Sequence, residues 1–185
     1  MRMNTSLAQR NAAFLEQALE LLDSLAPEVY AARPAHFERG GVGVHLRHVL
    51  DHYDAFLDGL DSGCIDYDAR QRDPATEADL SVARERLCAT IARMGAILAR
   101  PENPRCSPGR DIEVAMDLGG LSGTRSNASV SSVGRELQYL VAHTVHHFAL
   151  MAVALRLAGH EPSPEFGVAP STLRHEEANR GACAR

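Results

Sequence analysis

Apolar residues recur at helical spacing in four long segments of the chain. The predicted helices cover about residues 5–31, 42–60, 74–100 and 132–158. Asp73 as an N-cap followed by Pro74, and Ser131 or Ser132 before the fourth segment, are typical of helix starts. Pro27 should break the last turn of the first helix, because proline lacks the backbone donor that a helix needs. The pattern therefore predicts a mainly helical protein.

The segment between the third and fourth predicted helices follows a different pattern. From Ile112 to Leu118 apolar and polar residues alternate, which is typical of a half-buried strand. Gly119 and Gly120 can turn the chain, and a weaker return strand is predicted over Thr124–Val130. An isolated hairpin is only marginally stable, so this one should pack on the helices.

These elements predict an all-α fold, a four-helix bundle with a short β-hairpin between helices 3 and 4. A chain of 185 residues has the usual size of one domain, so we predict a single bundle domain over residues 1–175. The tail beyond Pro162 is predicted to be irregular and to wrap over the bundle, with residues 176–185 frayed. The segment Phe166–Leu173 is distinctive, but its residues predict no role.

Composition and charge narrow the classes of function. The net charge is -5 and the basic residues are scattered, whereas a nucleic-acid-binding protein should carry a basic stripe. An acidic balance also disfavours anionic membranes, and no apolar run approaches the roughly 18 residues of a membrane span. The N-terminus lacks a signal-peptide pattern, and the cysteines form no C-x-x-C pair, which indicates reduced thiols. We expect a cytoplasmic protein that binds neither nucleic acid nor membranes.

Histidine is the unusual feature of the composition, because most of the 9 histidines fall in two short segments. Residues three or four apart share a helix face, so His45, His48 and His52 form one stripe on the second predicted helix. His143 and His147 form an i, i+4 pair on the fourth. Both stripes lie among apolar positions that must face the core. A bundle would therefore bring histidines from two helices together in its interior.

Clustered imidazoles indicate a metal site, because imidazole is a good ligand for zinc, nickel, copper and iron. The pair His143 and His147 can place two ring nitrogens on one ion, and a histidine of the second helix would supply a third. Three protein ligands leave a position open for water or substrate, which is the pattern of catalytic sites. The alternative is a helical interaction domain with a histidine-rich core and no metal, although unpartnered polar groups are rarely buried in series.

Other chemistries have weaker support in the sequence. A di-iron site needs Glu-x-x-His pairs, and Glu136 has no such pair near these histidines. A serine hydrolase is disfavoured because no G-x-S-x-G element occurs, and a cysteine nucleophile stays open although no cysteine adjoins either histidine cluster. Asp51, one turn after His48, has two interpretations: an acceptor for the N–H of a ligating histidine, or a solvated helix carboxylate.

The sequence HVLDH at residues 48–52 and the sequence HTVHH at residues 143–147, on the second and fourth predicted helices, resemble the DinB-like superfamily. The resemblance spans most of the chain, from about Leu7 to Leu173. By position, it implies a metal triad of His48, His143 and His147. In the catalytic interpretation Asp51, one turn after His48, would orient a ligand. It also implies a four-helix bundle with a pocket at one end and often a homodimer. His45, His52 and His146 are expected to support a ligand, to line the pocket or to be exposed.

Some members of this superfamily are bacillithiol or mycothiol S-transferases, which suggests two hypotheses. The first is a metal-dependent transferase or hydrolase that acts on a small thiol conjugate or electrophile, with a low-molecular-weight thiol as the expected partner. The second is a non-catalytic metal-binding or stress-response protein with the same triad. One divalent ion is expected; zinc or nickel fits three histidines best, and manganese or iron stays open.

Overall fold

The computed structural model describes residues 2–35, 37, 40–99, 102–115 and 128–183. Within them lie seven helices: α1 Arg2–Ser24, α2 Pro27–Ala31, α3 Val42–Ser62, α4 Pro74–Ala78, α5 Leu80–Leu98, α6 Val133–Leu157 and α7 Pro170–Cys183. Three short strands complete the described part, β1 Cys64–Asp66, β2 Asp111–Ala115 and β3 Ser129–Ser132.

Four of the helices form a bundle. α1 packs against α5 and α6, and α3 packs against the same two helices, so that α1 and α3 lie diagonally across the bundle. Their apolar stripes enclose fully buried side chains such as Leu15, Leu46, Leu87 and Leu140. The predicted all-α bundle with a short β element is therefore confirmed. The position of α3 between α5 and α6 determines what each of its two polar faces contacts.

Two of the four predicted helices are each divided into two. The first ends at Ser24 and resumes at Pro27, so the break predicted at this proline is present slightly earlier in the chain. The division of the third at Asp79 was not predicted. Asp73 and Asp79 each accept hydrogen bonds from two backbone amides of the following turn, so two N-caps start two successive helices.

The small sheet differs from a simple hairpin. β2 and β3 pair antiparallel, as predicted, with Ile112 opposite Ser131. β1 pairs parallel with β2, which makes β2 the central strand of three. A parallel pair needs a long crossover, and α4 and α5 supply it. The predicted turn at Gly119 and Gly120, and the start of the return strand, lie outside the described residues.

The C-terminal tail corrects a prediction. Phe166 is buried and stacks on Phe148 of α6, with the ring centroids 4.7 Å apart, so the tail does fold back over the bundle. The prediction of irregular chain beyond Pro170 is wrong, because residues 170–183 form α7. Proline is tolerated in the first turn of a helix, and the residues that follow allow the helix to continue. The boundary predicted at residue 176 therefore falls inside a helix.

α6 is the central helix of the protein. Its N-cap is Ser132, whose side chain accepts a hydrogen bond from the backbone amide of Arg135. By length and composition alone α6 could cross a membrane, but core helices of soluble proteins meet the same criterion. A buried polar network joins it to its neighbours: Tyr53 donates to Asn11, and Thr144 donates to Tyr53. The predicted cytoplasmic location stays a prediction.

Candidate metal centre

Two helices carry the histidines towards each other. Because α3 packs along α6, the stripe of α3 that bears His48 faces the stripe of α6 that bears His143 and His147. His45 and His52 are buried, with 8% and 4% of their surface exposed. The three predicted ligands are half-buried, and His146 is exposed.

The structure brings together all three residues of the predicted triad. The ring centroids of His48 lie 5.0 Å from His143 and 4.5 Å from His147, and His143 and His147 are 4.4 Å apart. Close rings do not by themselves bring the ligand nitrogens together: among the described residues, the histidines whose nitrogens lie within 4.8 Å of one another are His48, His52 and His143, without His147. The identity of the metal ligands stays a prediction.

His52 lies as close to the centre as the predicted ligands. Its ring centroid is 4.0 Å from that of His143 and 4.5 Å from that of His48. One nitrogen of each of these three residues lies within 4.8 Å of the other two, a grouping that could hold a metal ion. The i, i+4 spacing of His48 and His52 was visible in the sequence, but spacing alone gave no reason to prefer either one.

Hydrogen bonds indicate which ring nitrogens keep a lone pair. His52 donates its Nδ1–H to the backbone carbonyl of His48 at 2.9 Å, so its Nε2 is an acceptor. The Nδ1 atoms of His45 and His147 are 3.0 Å apart, which requires one donor and one acceptor. If His147 is the donor, its Nε2 is available to a metal and His45 fixes its orientation. The Nε2 atom of His143 is buried without a hydrogen-bond partner.

The local electrostatics keep these imidazoles neutral. Burial, and then the neighbouring histidines, lower the pKa of His48 to about 2 and that of His143 to about 2. Burial and the nearby His45 lower the pKa of His147 to about 3. Burial also lowers the pKa values of His45 and His52. Neutral imidazole is the form that binds metal, so the site is prepared for a cation rather than for protons.

An arginine that the sequence gave no reason to single out reaches this cluster. Arg70 lies in the loop between β1 and α4, and its Nη1 is 2.6 Å from Nδ1 of His48. Arginine can only donate, so Nδ1 of His48 is the acceptor. An irregular loop has no periodic pattern that would place Arg70 beside α3.

Asp51 has different partners from those predicted. Its side chain is 1% exposed, and its two oxygens accept from Arg47 at 2.7 Å and from Arg86 at 2.8 Å. Among the described residues, no hydrogen bond joins Asp51 to a histidine. It is neither the predicted partner of a ligating histidine nor a solvated carboxylate, because it faces the arginines of α3 and α5.

Comparison with known proteins agrees with this geometry. The model of the DinB family matches residues 1–171, which is nearly the whole chain. The chain belongs to the DinB family. The predicted resemblance is therefore confirmed, and the helical bundle with facing histidines on α3 and α6 is the form that this DinB-family chain takes.

A curated relative shares part of the sequence. The chain is 32% identical over 112 residues to the "FK506-binding protein 5" of Rhizopus delemar, a match that covers 60% of this chain and 27% of that protein. The chain thus spans only about a quarter of the length of this relative.

A divalent cation fits the histidine cluster of this DinB-family protein. The donors are neutral imidazoles, and the buried Nε2 of His143 has no partner within the described part of the chain. A buried ring nitrogen without a hydrogen-bond partner is costly, and a metal ion would satisfy it in the tautomer that leaves its lone pair free. Nitrogen donors without a carboxylate suit first-row transition metals better than magnesium or calcium.

The rings of two tyrosines pack against the histidines. Tyr67 stacks on His52 with the ring centroids 5.2 Å apart, and Tyr139 stacks on His143 at 5.5 Å. The hydroxyl of Tyr67 donates to the buried carboxylate of Glu136 at 2.9 Å. Burial raises the pKa of both phenols, so they stay protonated. Tyr139 lies one turn before His143 and was visible at helical spacing, whereas Tyr67 is far in sequence from both histidine motifs and was not.

A large cleft lies on the other flank of α3. It has a volume of about 770 Å³ and is lined by α3, α5 and the loop after β1. Aspartates and arginines dominate its walls, and the clustered histidines do not line it. Arg70 lines this cleft and also contacts His48, so it links the cleft to the histidine cluster.

Proposed function

We propose that this chain binds one divalent metal ion through His48, His143 and His147 and acts as a metal-dependent transferase or hydrolase. Its substrate would be a small thiol conjugate or another electrophile. The convergence of neutral imidazoles, with a buried and unpartnered nitrogen on His143, carries the proposal. Family membership supports it, since the resemblance that predicted the triad included thiol transferases.

A bound cation would lower the pKa of a coordinated thiol or water and would hold the resulting nucleophile in place. In the transferase form, the thiol loses its proton and its sulfur forms a bond to the electrophilic carbon. The leaving group departs with the bonding electron pair and takes up a proton. In the hydrolase form, water replaces the thiol as the nucleophile.

The surrounding side chains would position these groups. His45 can accept from His147 and so leave Nε2 of His147 free for the metal. Tyr139 lies against His143 as a protonated phenol and can donate a hydrogen bond in the site. Tyr67 and Tyr139 are 5.1 Å apart and together exclude water from one side of the cluster.

A non-catalytic function has one observation in its favour. His52 lies as near to the centre as the predicted ligands, so four imidazoles surround it. Four protein ligands would close the coordination sphere of a zinc ion, which is the pattern of structural sites. The variant His52→Ala distinguishes the two functions: a loss of metal affinity well beyond about a hundredfold supports a closed site, and a smaller loss, as for a residue that only supports a ligand, supports an open one.

Elemental analysis of untagged protein tests the metal. Wild type, His143→Ala and the matched control His146→Ala are reconstituted with zinc, nickel, manganese or iron and dialysed. His146 is exposed on the same helix, so its variant should keep the metal. About one ion per chain in wild type and control, lost in His143→Ala, is expected. Absence of metal from all three proteins contradicts the proposal.

Turnover is tested with small thiols and a fluorogenic bimane halide. The metal-loaded protein should accelerate thioether formation, chelation should abolish the acceleration, and His146→Ala should behave as wild type. A protein that binds metal but turns over no thiol or ester in a broad panel is the non-catalytic alternative. The homodimer is a separate proposal, tested by light scattering during size-exclusion chromatography.

A further inference from the structure

Arg70 has an unusual environment for an arginine. Its Nη1 donates to Nδ1 of His48, a neutral acceptor, at 2.6 Å, and its Nε is buried without a hydrogen-bond partner. A guanidinium is a planar set of donors that matches carboxylates and other anions, so an imidazole uses only part of its capacity. The side chain is half-buried, which makes the missing partner costly.

Asp66 and Asp73, the carboxylates nearest to Arg70 in sequence with identified partners, do not pair with it. Among the described residues, no salt bridge to Arg70 is found, whereas Arg86 and Arg93, which line the same cleft, each pair with aspartates. Asp66 and Asp73, on either side of Arg70, accept instead from backbone amides. The guanidinium therefore lies beside the histidine cluster, where its Nη1 donates to an imidazole and its Nε stays without a hydrogen-bond partner.

A metal on His48 and the hydrogen bond from Arg70 exclude each other. A neutral imidazole carries one proton and one lone pair, and Arg70 occupies that lone pair at Nδ1. If His48 uses its lone pair for a metal, at either nitrogen, Arg70 must release the ring. Coulomb repulsion between a guanidinium and a divalent cation favours the same separation.

We propose that Arg70 is the anion-binding residue of this centre. It holds the lone pair of His48 until a metal takes that lone pair, and the released guanidinium then binds the anionic group of the substrate. The inference rests on the proposed function and specifies its substrate class: a small thiol or electrophile that carries a carboxylate or a similar anionic group. A neutral substrate would leave the guanidinium unpaired beside a cation.

The first test measures the metal affinity of the chain. Zinc affinities of wild type, Arg70→Gln and the matched control Arg72→Gln are compared by competition with a chromophoric chelator. Arg72 is exposed in the same loop, and no hydrogen bond between it and a histidine is found among the described residues. Loss of the competing hydrogen bond and of the repulsion should raise the zinc affinity of Arg70→Gln about tenfold, with no change in Arg72→Gln.

The second test measures ligand preference in the zinc-loaded proteins. Mercaptoacetate and mercaptoethanol are similar small thiols, but only the first carries a carboxylate. Calorimetry should show that wild type and Arg72→Gln prefer mercaptoacetate by about tenfold. Arg70→Gln should lose this preference, and Arg70→Lys, which keeps the charge without the planar fork, should keep part of it.

The outcomes separate the two proposals. Zinc and mercaptoethanol bound by every variant, with the same carboxylate preference in Arg70→Gln as in wild type, would overturn the role of Arg70 and leave the proposed function intact. A zinc affinity that does not rise in Arg70→Gln would overturn the competition with His48. Absence of zinc binding from all variants would overturn the proposed function itself.

Discussion

α3 presents aspartates to one neighbour and histidines to the other. Asp51, Asp54 and Asp58 repeat with the same three-and-four spacing as His45, His48 and His52. The two sets are six residues out of step, which turns them about 120° apart around the helix. One set meets the arginines of α5, and the other meets the histidines of α6.

The aspartate face is complete within the chain. Asp51 binds Arg47 and Arg86, Asp54 binds Arg86 and Arg93, and Arg93 also pairs with Asp58. Each carboxylate therefore has a cationic partner. Such a ladder fixes the packing of α3 against α5.

The histidine face is incomplete within the described part of the chain. Its members are neutral acceptors facing one another, and the one cation in hydrogen-bond contact with them is Arg70. Because both faces of α3 have the same residue spacing, helical periodicity alone does not reveal a functional face. The face that needs a ligand is the one whose hydrogen-bonding and charge requirements the rest of the chain leaves open.

The largest expected loss of stability comes from removing a carboxylate of the aspartate face. Asp51→Ala removes a buried carboxylate from two arginines that are only 11% and 21% exposed, so it should cost about 3 kcal/mol of unfolding free energy. Urea denaturation of chelator-treated protein measures this cost. A loss below about 1 kcal/mol would show that the ladder contributes little to stability.

The incomplete face should respond to metal instead. Zinc at about a hundredfold excess over its Kd should add roughly 2.7 kcal/mol to the free energy of unfolding of wild type. His143→Ala should lose this gain, while Asp51→Ala should keep it, because the aspartate face does not hold the ion. Denaturation with and without zinc measures both. An equal gain in His143→Ala would remove that residue from the ligand set.

The free energy of unfolding should fall in acid because of the histidine face. A histidine whose pKa is lowered by folding binds its proton more readily in the unfolded chain, so stability is complete above about pH 6.5 and falls below it towards the lowered values of about 2 and about 3. For these half-buried side chains the slope is at most about 1.4 kcal/mol per pH unit for each residue.

Metal-free His143→Gln should therefore show a shallower fall in unfolding free energy between pH 6.5 and 4.5 than wild type, by up to the slope of one histidine. His146→Gln is the control, since that residue is exposed. Urea denaturation across this range measures the slopes. Equal slopes in wild type and His143→Gln would show that His143 does not resist protonation in the folded protein.

The smallest effect is expected at the open end of the aspartate face. Asp58 is 73% exposed and pairs with Arg93, which is 41% exposed. Asp58→Ala should change the unfolding free energy by no more than about 1 kcal/mol, because solvent screens exposed pairs. This variant is also the matched control for Asp51→Ala. A comparable loss in both variants would show that the buried and the exposed ion pairs of the aspartate face contribute equally to the free energy of unfolding.

The sequence by itself determined the helices and the stripes on them. Apolar spacing, the caps at Asp73 and Ser132, and the i, i+4 histidines are local features, since residues within one turn are neighbours in any helix. From these features the bundle and the approach of His143 and His147 to a histidine of the second helix could be predicted, whereas the choice of His48 came from the family resemblance. The hairpin strands could also be predicted, because alternation along a strand is local as well.

Only the tertiary structure decided which partners the stripes meet. The parallel pairing of β1, the stacking of Tyr67 on His52, the arginines around Asp51 and the reach of Arg70 to His48 join residues far apart in sequence or in an irregular loop. No period in the sequence encodes such contacts, because they depend on how helices and loops pack. That packing gave the aspartate face its cations and set neutral imidazoles against one another on the histidine face.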